Sequence, residues 1–230
     1  MNIAMTARAL RGGAARLAVL LALLGFSATA LAQSKEAATP LDSYLRDLKT
    51  LRAEFLQTLS DAHGKETDRS TGTLIIARPG KFSWEIHPQS ESGASTGAGQ
   101  LMVCDGTNLW FLDRDLQQVT VKPVDAALTA TPAMLLSGAV DLRKNFKISP
   151  AGERTGLTWV LVEPTGTEAD FRSALFGFAD GQLKRMILED KLGQTATLMF
   201  QKAVRNGLVS PAEVSFTPPP NVDVIGTPRK

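Results

Sequence analysis

Few side chains in this chain of 230 residues are equipped for covalent chemistry. There is one cysteine, Cys104, and there are two histidines, His63 and His87. Cys104 follows Met102 and Val103 in an apolar, strand-like run, which suits a small buried hydrophobe better than a reactive thiol. His63 stands in the polar stretch Asp61-Ala62-His63-Gly64. His87 precedes a proline on the polar side of its run. A cysteine–histidine dyad would therefore have to be assembled by the fold alone. Asp113 and Asp115 flank Arg114 at a turn. Paired carboxylates can cleave glycosides, but acids at a turn also favour the bend itself. Zinc spacings such as H-x-x-x-H or C-x-x-C are absent, and no glycine-rich phosphate loop leads into a helix. The expectation is a protein with no catalytic residues, no metal and no cofactor.

Among the charged residues Arg78 stands out. It lies in Ala77-Arg78-Pro79-Gly80, a turn between two apolar runs, and Leu74-Ile75-Ile76-Ala77 before it should be buried. Arg78 then stands at the rim of the core. It can lay its stem on apolar surface with its head in water. It can equally use its five donors to hold carbonyls at the end of a helix against a sheet.

The first 32 residues read as a secretory signal. Arg8, Arg11 and Arg16 precede the apolar run Leu17–Phe26, and small residues follow up to Ala30-Leu31-Ala32. The run is too short for a permanent membrane span. Gln33, not cysteine, follows the expected cut, so lipoprotein-type anchoring is not expected there. The expected product is a soluble, extracytoplasmic single domain of residues 33–230. The chain carries 25 basic and 23 acidic residues; without the three arginines of the leading segment the charge is close to neutral. No basic stripe invites nucleic acid. With one cysteine, the fold must hold without an internal disulfide.

The elements that would position these residues are mostly strands. Thr39-Pro40 opens a short helix with Leu41, Tyr44, Leu45 and Leu48 on one face. Ala53–Leu59 alternates as a strand. Further strands are expected over Thr71–Ala77, Lys81–His87, Leu101–Cys104, Asn108–Asp113, Leu116–Lys122, Arg143–Ser149, Leu157–Glu163, Phe171–Ala179, Gln182–Asp190, Thr195–Val204 and Glu213–Phe216. Asp105-Gly106, Asp180-Gly181, Leu192-Gly193 and Asn206-Gly207 read as hairpin turns. Val124–Leu128 and Thr131–Gly138 read as helical, and Gln89–Gly99 as a flexible Ser/Gly-rich hairpin loop. Phe82, Trp84 and Ile86 share one strand face; Ala174, Phe176 and Phe178 share another, as do Ala196, Leu198 and Phe200. This predicts a mainly β (α+β) fold: one large curved antiparallel sheet with a few short helices against its apolar concave face. That face can close as packed core or leave a cavity for an apolar ligand. Periodicity does not choose between them.

Several blocks together resemble the periplasmic outer-membrane lipoprotein carrier family, LolA. They are Ala53-Glu54-Phe55-Leu56-Gln57, Gly72-Thr73-Leu74 and Arg78-Pro79-Gly80-Lys81-Phe82-Ser83-Trp84. Others are Asp105-Gly106-Thr107-Asn108-Leu109-Trp110, Thr131-Pro132-Ala133-Met134-Leu135-Leu136, Leu188-Glu189-Asp190 and Phe216-Thr217-Pro218-Pro219. The resemblance implies an unclosed, strongly curved antiparallel β-barrel covered by short helices that form a lid. It implies a periplasmic chaperone, monomeric and without enzymatic activity. Such a chaperone takes triacylated outer-membrane lipoproteins from an inner-membrane lipoprotein-releasing ABC transporter. It shields their acyl chains and passes them to an outer-membrane lipoprotein receptor. By position, Arg78 corresponds to the lid-controlling arginine. Leu45, Met134, Leu135 and Leu136 correspond to lid positions, and Phe82 and Trp84 to apolar positions on the sheet. Met134 and Met199 would suit an adaptable lining. The Gln89–Gly99 loop is longer than is usual in the family. A periplasmic carrier of a glycolipid or another lipid fits the same cavity logic, and Phe82, Trp84 and Met134 also suit plain core.

Overall fold

The computed structural model describes residues 38–124, 131–139, 141–167, 169 and 171–229. By its contacts the chain divides into two units, Met1–Glu36 and Ala37–Lys230, and the described residues all fall in the second. The helical expectation over Val124–Leu128 lies almost wholly outside them.

Helix α1 (Pro40–Arg46) leads into β1 (Thr50–Ser60), β2 (Glu66–Ala77), β3 (Lys81–Gln89), β4 (Gln100–Asp105), β5 (Asn108–Asp113) and β6 (Gln118–Pro123). Helices α2 (Pro132–Ser137) and α3 (Leu142–Asn145) follow. The chain then enters β7 (Phe146–Arg154), β8 (Leu157–Pro164), β9 (Phe171–Ala179), β10 (Gln182–Asp190) and β11 (Thr195–Arg205). A 3-10 turn (Pro211–Val214) and a short β12 (Asp223–Ile225) close the described chain. All twelve strands form one sheet in the order β12-β6-β5-β4-β3-β2-β1-β11-β10-β9-β8-β7. Neighbours are antiparallel except β12, which runs parallel to β6.

The sheet is strongly curved. Strands β2 and β7 are six spacings apart, which in a flat sheet is roughly 29 Å. Yet Arg78, just after β2, and Ile148, on β7, line one opening. The barrel stays unclosed, with β7 and β12 as its two ends. Both ends are blunted against further pairing. Strand β12 is only three residues long, and β7 breaks register between Pro150 and Glu153.

Strand alternation sorts apolar residues onto two faces. The concave side collects Leu51, Ala53, Phe55, Leu74, Ile76, Phe82, Trp84, Cys104 and the inward-facing apolar residues of β7 to β11, such as Ile148, Val160, Phe176, Met186 and Leu198, together with both lid helices. The outer side holds a smaller cluster, Val103, Trp110, Leu112, Val119 and Val121, with Phe216 packed on it. The Phe216 ring sits 5.3 Å from that of Trp110. This explains the closing Phe-Thr-Pro-Pro block: it covers outer sheet surface. The Asp-Gly-Thr-Asn-Leu-Trp block is a turn built around one carboxylate. Asp105 accepts from the backbone N–H groups of Thr107 and Asn108 and from the indole of Trp110. Burial raises the Asp105 pKa, but these bonds outweigh it and the net shift is downward.

Most strand expectations hold, with boundaries moved by a few residues. Three do not. Glu213–Phe216 is no strand, because Pro211 starts a 3-10 turn whose Ser210 and Glu213 cap each other. The helical turn α3 replaces the first three residues of the strand expected at Arg143, since Asp141 caps it. Asn206-Gly207 ends β11 but starts no hairpin; its work is described below. The Gln89–Gly99 connection is tied down rather than left loose. Ser90 donates to Ala94, Thr96 to Pro88, and the Ala98 N–H to Asp115. Within it Gly93-Ala94-Ser95-Thr96-Gly97 has the spacing of a nucleophile elbow, but it joins two strands instead of a strand and a helix, and Ser95 donates to Gly97.

Candidate functional site

The feature that distinguishes this fold from a plain half-barrel is the pair of short helices on its apolar face. Helix α1 starts at a reciprocal cap: Asp42 N–H donates to the Thr39 hydroxyl, and Thr39 N–H donates to the Asp42 carboxylate. It buries Leu41, Tyr44 and the following Leu48, at most 4% exposed. Helix α2 is capped by Thr131, which accepts from Met134 N–H, and ends at Gly138 with φ +76°. It buries Met134, Leu135 and Leu136 at 0–1% exposure. At these lengths neither helix holds itself together in water; both depend on the sheet beneath.

All seven residues singled out from the sequence meet here. Phe82 and Trp84 project from β3 into the cluster that contains Met134, Leu135 and Leu136, and Leu45 packs on its edge. Met199 does not join them. It sits between Leu198 and Phe200 on β11, so strand alternation turns it to the other face, where Arg185 reaches its sulfur. Met186, fully buried in the concave cluster, and Met102, paired with Trp84 across β3 and β4, are the methionines that do line it with Met134.

Arg78 joins the two helices. Its Nη1 donates to the Leu45 carbonyl at 2.6 Å, at the C-terminal end of α1 where carbonyls lack helical partners. Its guanidinium also lies against Gly138 at the end of α2, so closely that a Cβ there would fall 2.8 Å from Nη2. The backbone of the same turn adds two ties: Arg78 N–H donates to Lys49 and Gly80 N–H to Ser137. Burial lowers the Arg78 pKa, yet a guanidinium stays charged.

Three further anchors were not foreseen. Arg205, at the end of β11, donates to the Tyr44 carbonyl at 2.9 Å and stacks 4.3 Å from the Tyr44 ring. Burial pushes the Tyr44 hydroxyl up to about 12, although Arg205 pulls the other way. Asn206, at φ +56°, accepts from Lys49 N–H and donates to the Asp47 carbonyl. Arg143 on α3 grips the Asp42 carboxylate at 2.6 Å. The sequence offered little signal for Arg205 and Asn206, because their partners lie about 160 positions away.

Burial alone would raise the Asp42 pKa, but Arg143 and Thr39 outweigh it and hold the carboxyl below its usual range. A group with a lowered folded pKa stabilises above its unfolded value and loses that contribution as pH falls through the folded one. The protection of α1 amides against exchange, relative to the unfolded chain at the same pH, is therefore expected to fall as the pH drops below about 4, beyond any general acid unfolding measured on the sheet. The variant Asp42→Asn should exchange faster at neutral pH and lose the extra acid dependence; an unchanged acid profile in that variant would refute the assignment.

An opening of about 340 Å³ lies beside the helices, lined by Leu41, Leu45, Arg78, Leu135, Leu142 and Ile148 among others. That is near the lower limit for a small-ligand pocket. Beside it, the lid's own side chains Leu41, Tyr44, Met134, Leu135 and Leu136 pack into the concave cluster. Cys104 is fully buried against this face, and burial raises its thiol pKa. Asp113 accepts from Asp115 and Leu116 N–H and so serves its turn. Among the described residues no cluster suits a metal ion, and no helix is long and apolar enough to cross a membrane.

Fold and site together define a lidded half-barrel: a curved sheet whose apolar face is closed by helices that a handful of polar contacts hold in place. Residues 46–217 match the family described as Outer membrane lipoprotein carrier protein LolA. The chain belongs to that family. A relative named outer-membrane lipoprotein carrier protein, from Dechloromonas aromatica, is 40% identical over 186 residues, covering 81% of this chain and 86% of its own. One of the same name from Nitrosospira multiformis is 37% identical, covering 80% and 86%. Among solved structures, a LolA superfamily protein from Nitrosomonas europaea is 12% identical, covering 75% of this chain and 96% of its own, with a TM-score of 0.40.

Proposed function

We propose that this protein is a periplasmic carrier of triacylated outer-membrane lipoproteins. It takes cargo from an inner-membrane lipoprotein-releasing transporter, covers the acyl chains on its concave face, and gives them to an outer-membrane receptor without covalent chemistry. The observation that carries the reading is the lid: apolar side chains from α1 and α2 pack on the concave face that cargo would need, α1 held by side-chain hydrogen bonds and α2 by a backbone bond and the close fit of Arg78 against Gly138.

The magnitudes suit a carrier that must also let go. Each buried lid residue such as Met134, Leu135 or Leu136 contributes about 1.5–3 kcal/mol by leaving water. Acyl chains that displace the lid replace that burial with their own, so the apolar terms largely cancel. The balance then falls to polar contacts, of which a hydrogen bond from a charged donor contributes about 1.5–3 kcal/mol. Arg78, bridging both helices, is the latch that sets the balance; Leu45, Phe82, Trp84, Met134, Leu135 and Leu136 form the lid and the acyl-chain surface. A bistable element biased by a few kcal/mol is what cargo-driven opening requires.

The test is release of cargo. The purified protein, beginning at Gln33, is incubated with spheroplasts that make a triacylated lipoprotein. Transporter-dependent appearance of a soluble one-to-one complex is the expected result. No complex from a folded protein would overturn the reading, and mass spectrometry of lipids bound to the native protein would then identify another cargo.

A further inference from the structure

We infer that Trp84 supplies a hydrogen bond to a carbonyl of the cargo's acyl linkage, so that the concave face recognises acylated rather than merely apolar chains. The inference rests on the carrier reading and deepens it. Trp84 is 7% exposed, and its indole Nε1 is buried with no hydrogen-bond partner. The protein's other two tryptophans are equally buried and both are served: Trp110 Nε1 donates to the Asp105 carboxylate at 2.7 Å, and Trp159 Nε1 to the Arg154 carbonyl at 3.2 Å. Two arginine nitrogens share the orphaned condition, on Arg114 and Arg205, but each belongs to a guanidinium whose Nη2 is bonded. Trp84 has a single polar atom and nothing satisfies it.

Its surroundings explain why. Trp84 sits in mid-strand on β3, opposite Leu74 on one side and Met102 on the other. The Phe55 ring stands against it, 5.9 Å away and nearly perpendicular, and α2 closes over the strand. The lid that fills the site in the empty protein is apolar at Met134, Leu135 and Leu136 and brings no acceptor to the indole. A buried polar group without a partner is uncommon in native proteins and asks for a reason. Here a ligand that is apolar along its length and carries an acceptor would supply the partner the lid withholds. Ester and amide carbonyls at the head of an acyl chain have that character; the hydrocarbon itself does not. The donor would then be satisfied only in the loaded state, which biases the lid toward opening for acylated cargo.

The measurement compares three synthetic ligands on the unmodified protein and on Trp84→Phe, which keeps the aromatic bulk and removes the donor. They are a diacylglyceryl-cysteine peptide, its dialkyl ether twin, and the ether twin bearing an N-acyl amide. The unmodified protein should bind a carbonyl-bearing ligand about fivefold to tenfold more tightly than the plain ether, the worth of one buried hydrogen bond. The variant should lose that discrimination, binding the carbonyl-bearing ligand and the plain ether with equal affinity whatever their common level. Whichever carbonyl restores the preference, ester or amide, identifies the partner. In parallel, the Trp84 indole proton resonance, assigned by its loss in the variant, should move downfield only with that ligand. Equal discrimination in both proteins, or none in the unmodified one, would overturn the inference and leave the carrier reading standing. Failure of all three ligands to bind the unmodified protein would overturn both.

Discussion

Arg78→Leu is expected to leave the sheet folded, to bind acylated cargo about tenfold more tightly, and to slow transfer to the receptor by a similar factor. The sign follows from which state the arginine serves. Its bond to the Leu45 carbonyl and its fit against Gly138 exist only with both helices seated. Removing them destabilises the closed empty state and leaves the loaded state untouched, so the equilibrium shifts toward cargo. One charged hydrogen bond of about 1.5 kcal/mol corresponds to that tenfold change. The leucine retains apolar contact at the rim, so the melting temperature should move by only a few degrees. Gly138→Ala should act in the same direction with Arg78 intact. Its backbone lies at φ +76°, where a side chain is strained, and the new methyl would meet the guanidinium. Binding and transfer measured on both variants decide the matter. Unchanged transfer in Arg78→Leu would refute the latch, and an unchanged Gly138→Ala beside an altered Arg78→Leu would place the effect on α1 alone.

Gly72→Ala is expected to cost about 3 kcal/mol or more and to lower the melting temperature by roughly 6–12 °C. Gly72 lies on β2 between Phe55 and Ile86. A Cβ there would stand 1.9 Å from the Glu85 carbonyl oxygen and 2.5 Å from the Phe55 ring. A ring can turn aside, but the carbonyl belongs to the neighbouring strand, so the β2–β3 ladder must part. Phe55→Ala in the same chain should therefore rescue only part of the loss. A variant that melts within 2 °C of the unmodified protein would mean that the strands can separate at little cost. The same close approach gives the Gly-Thr-Leu block its meaning: the missing side chain lets Phe55 lie across the sheet and reach Trp84.

Much of this architecture was legible because strands announce themselves locally. Alternation at Phe82, Trp84 and Ile86 or at Ala174, Phe176 and Phe178 needs only neighbouring residues to be read, and all of these belong to the concave cluster. Met199 was misplaced where that alternation was not followed through. Short elements were harder. The 3-10 turn at Pro211–Val214 and the three residues of β12 carry too few positions for any period to register. The anchors of α1 were harder still, because a carbonyl acceptor belongs to every residue type alike. Nothing in the sequence marks Tyr44 or Asp47 as the residue whose backbone Arg205 or Asn206 will find.

By itself, then, the order of residues determined a curved antiparallel sheet with an apolar face, short capped helices to lie on it, and an arginine at its rim. These follow from period, turn chemistry and side-chain type, all of them local. Only the tertiary structure decided that the lid's side chains pack into that face, that Arg78 touches both helices, that Arg205, Asn206 and Arg143 share the task, and that Trp84 alone among the tryptophans keeps an idle donor. Those are facts of volume and of partnership between distant segments. They arise when the sheet curls and brings its far strands to one opening, and no stretch of sequence contains them.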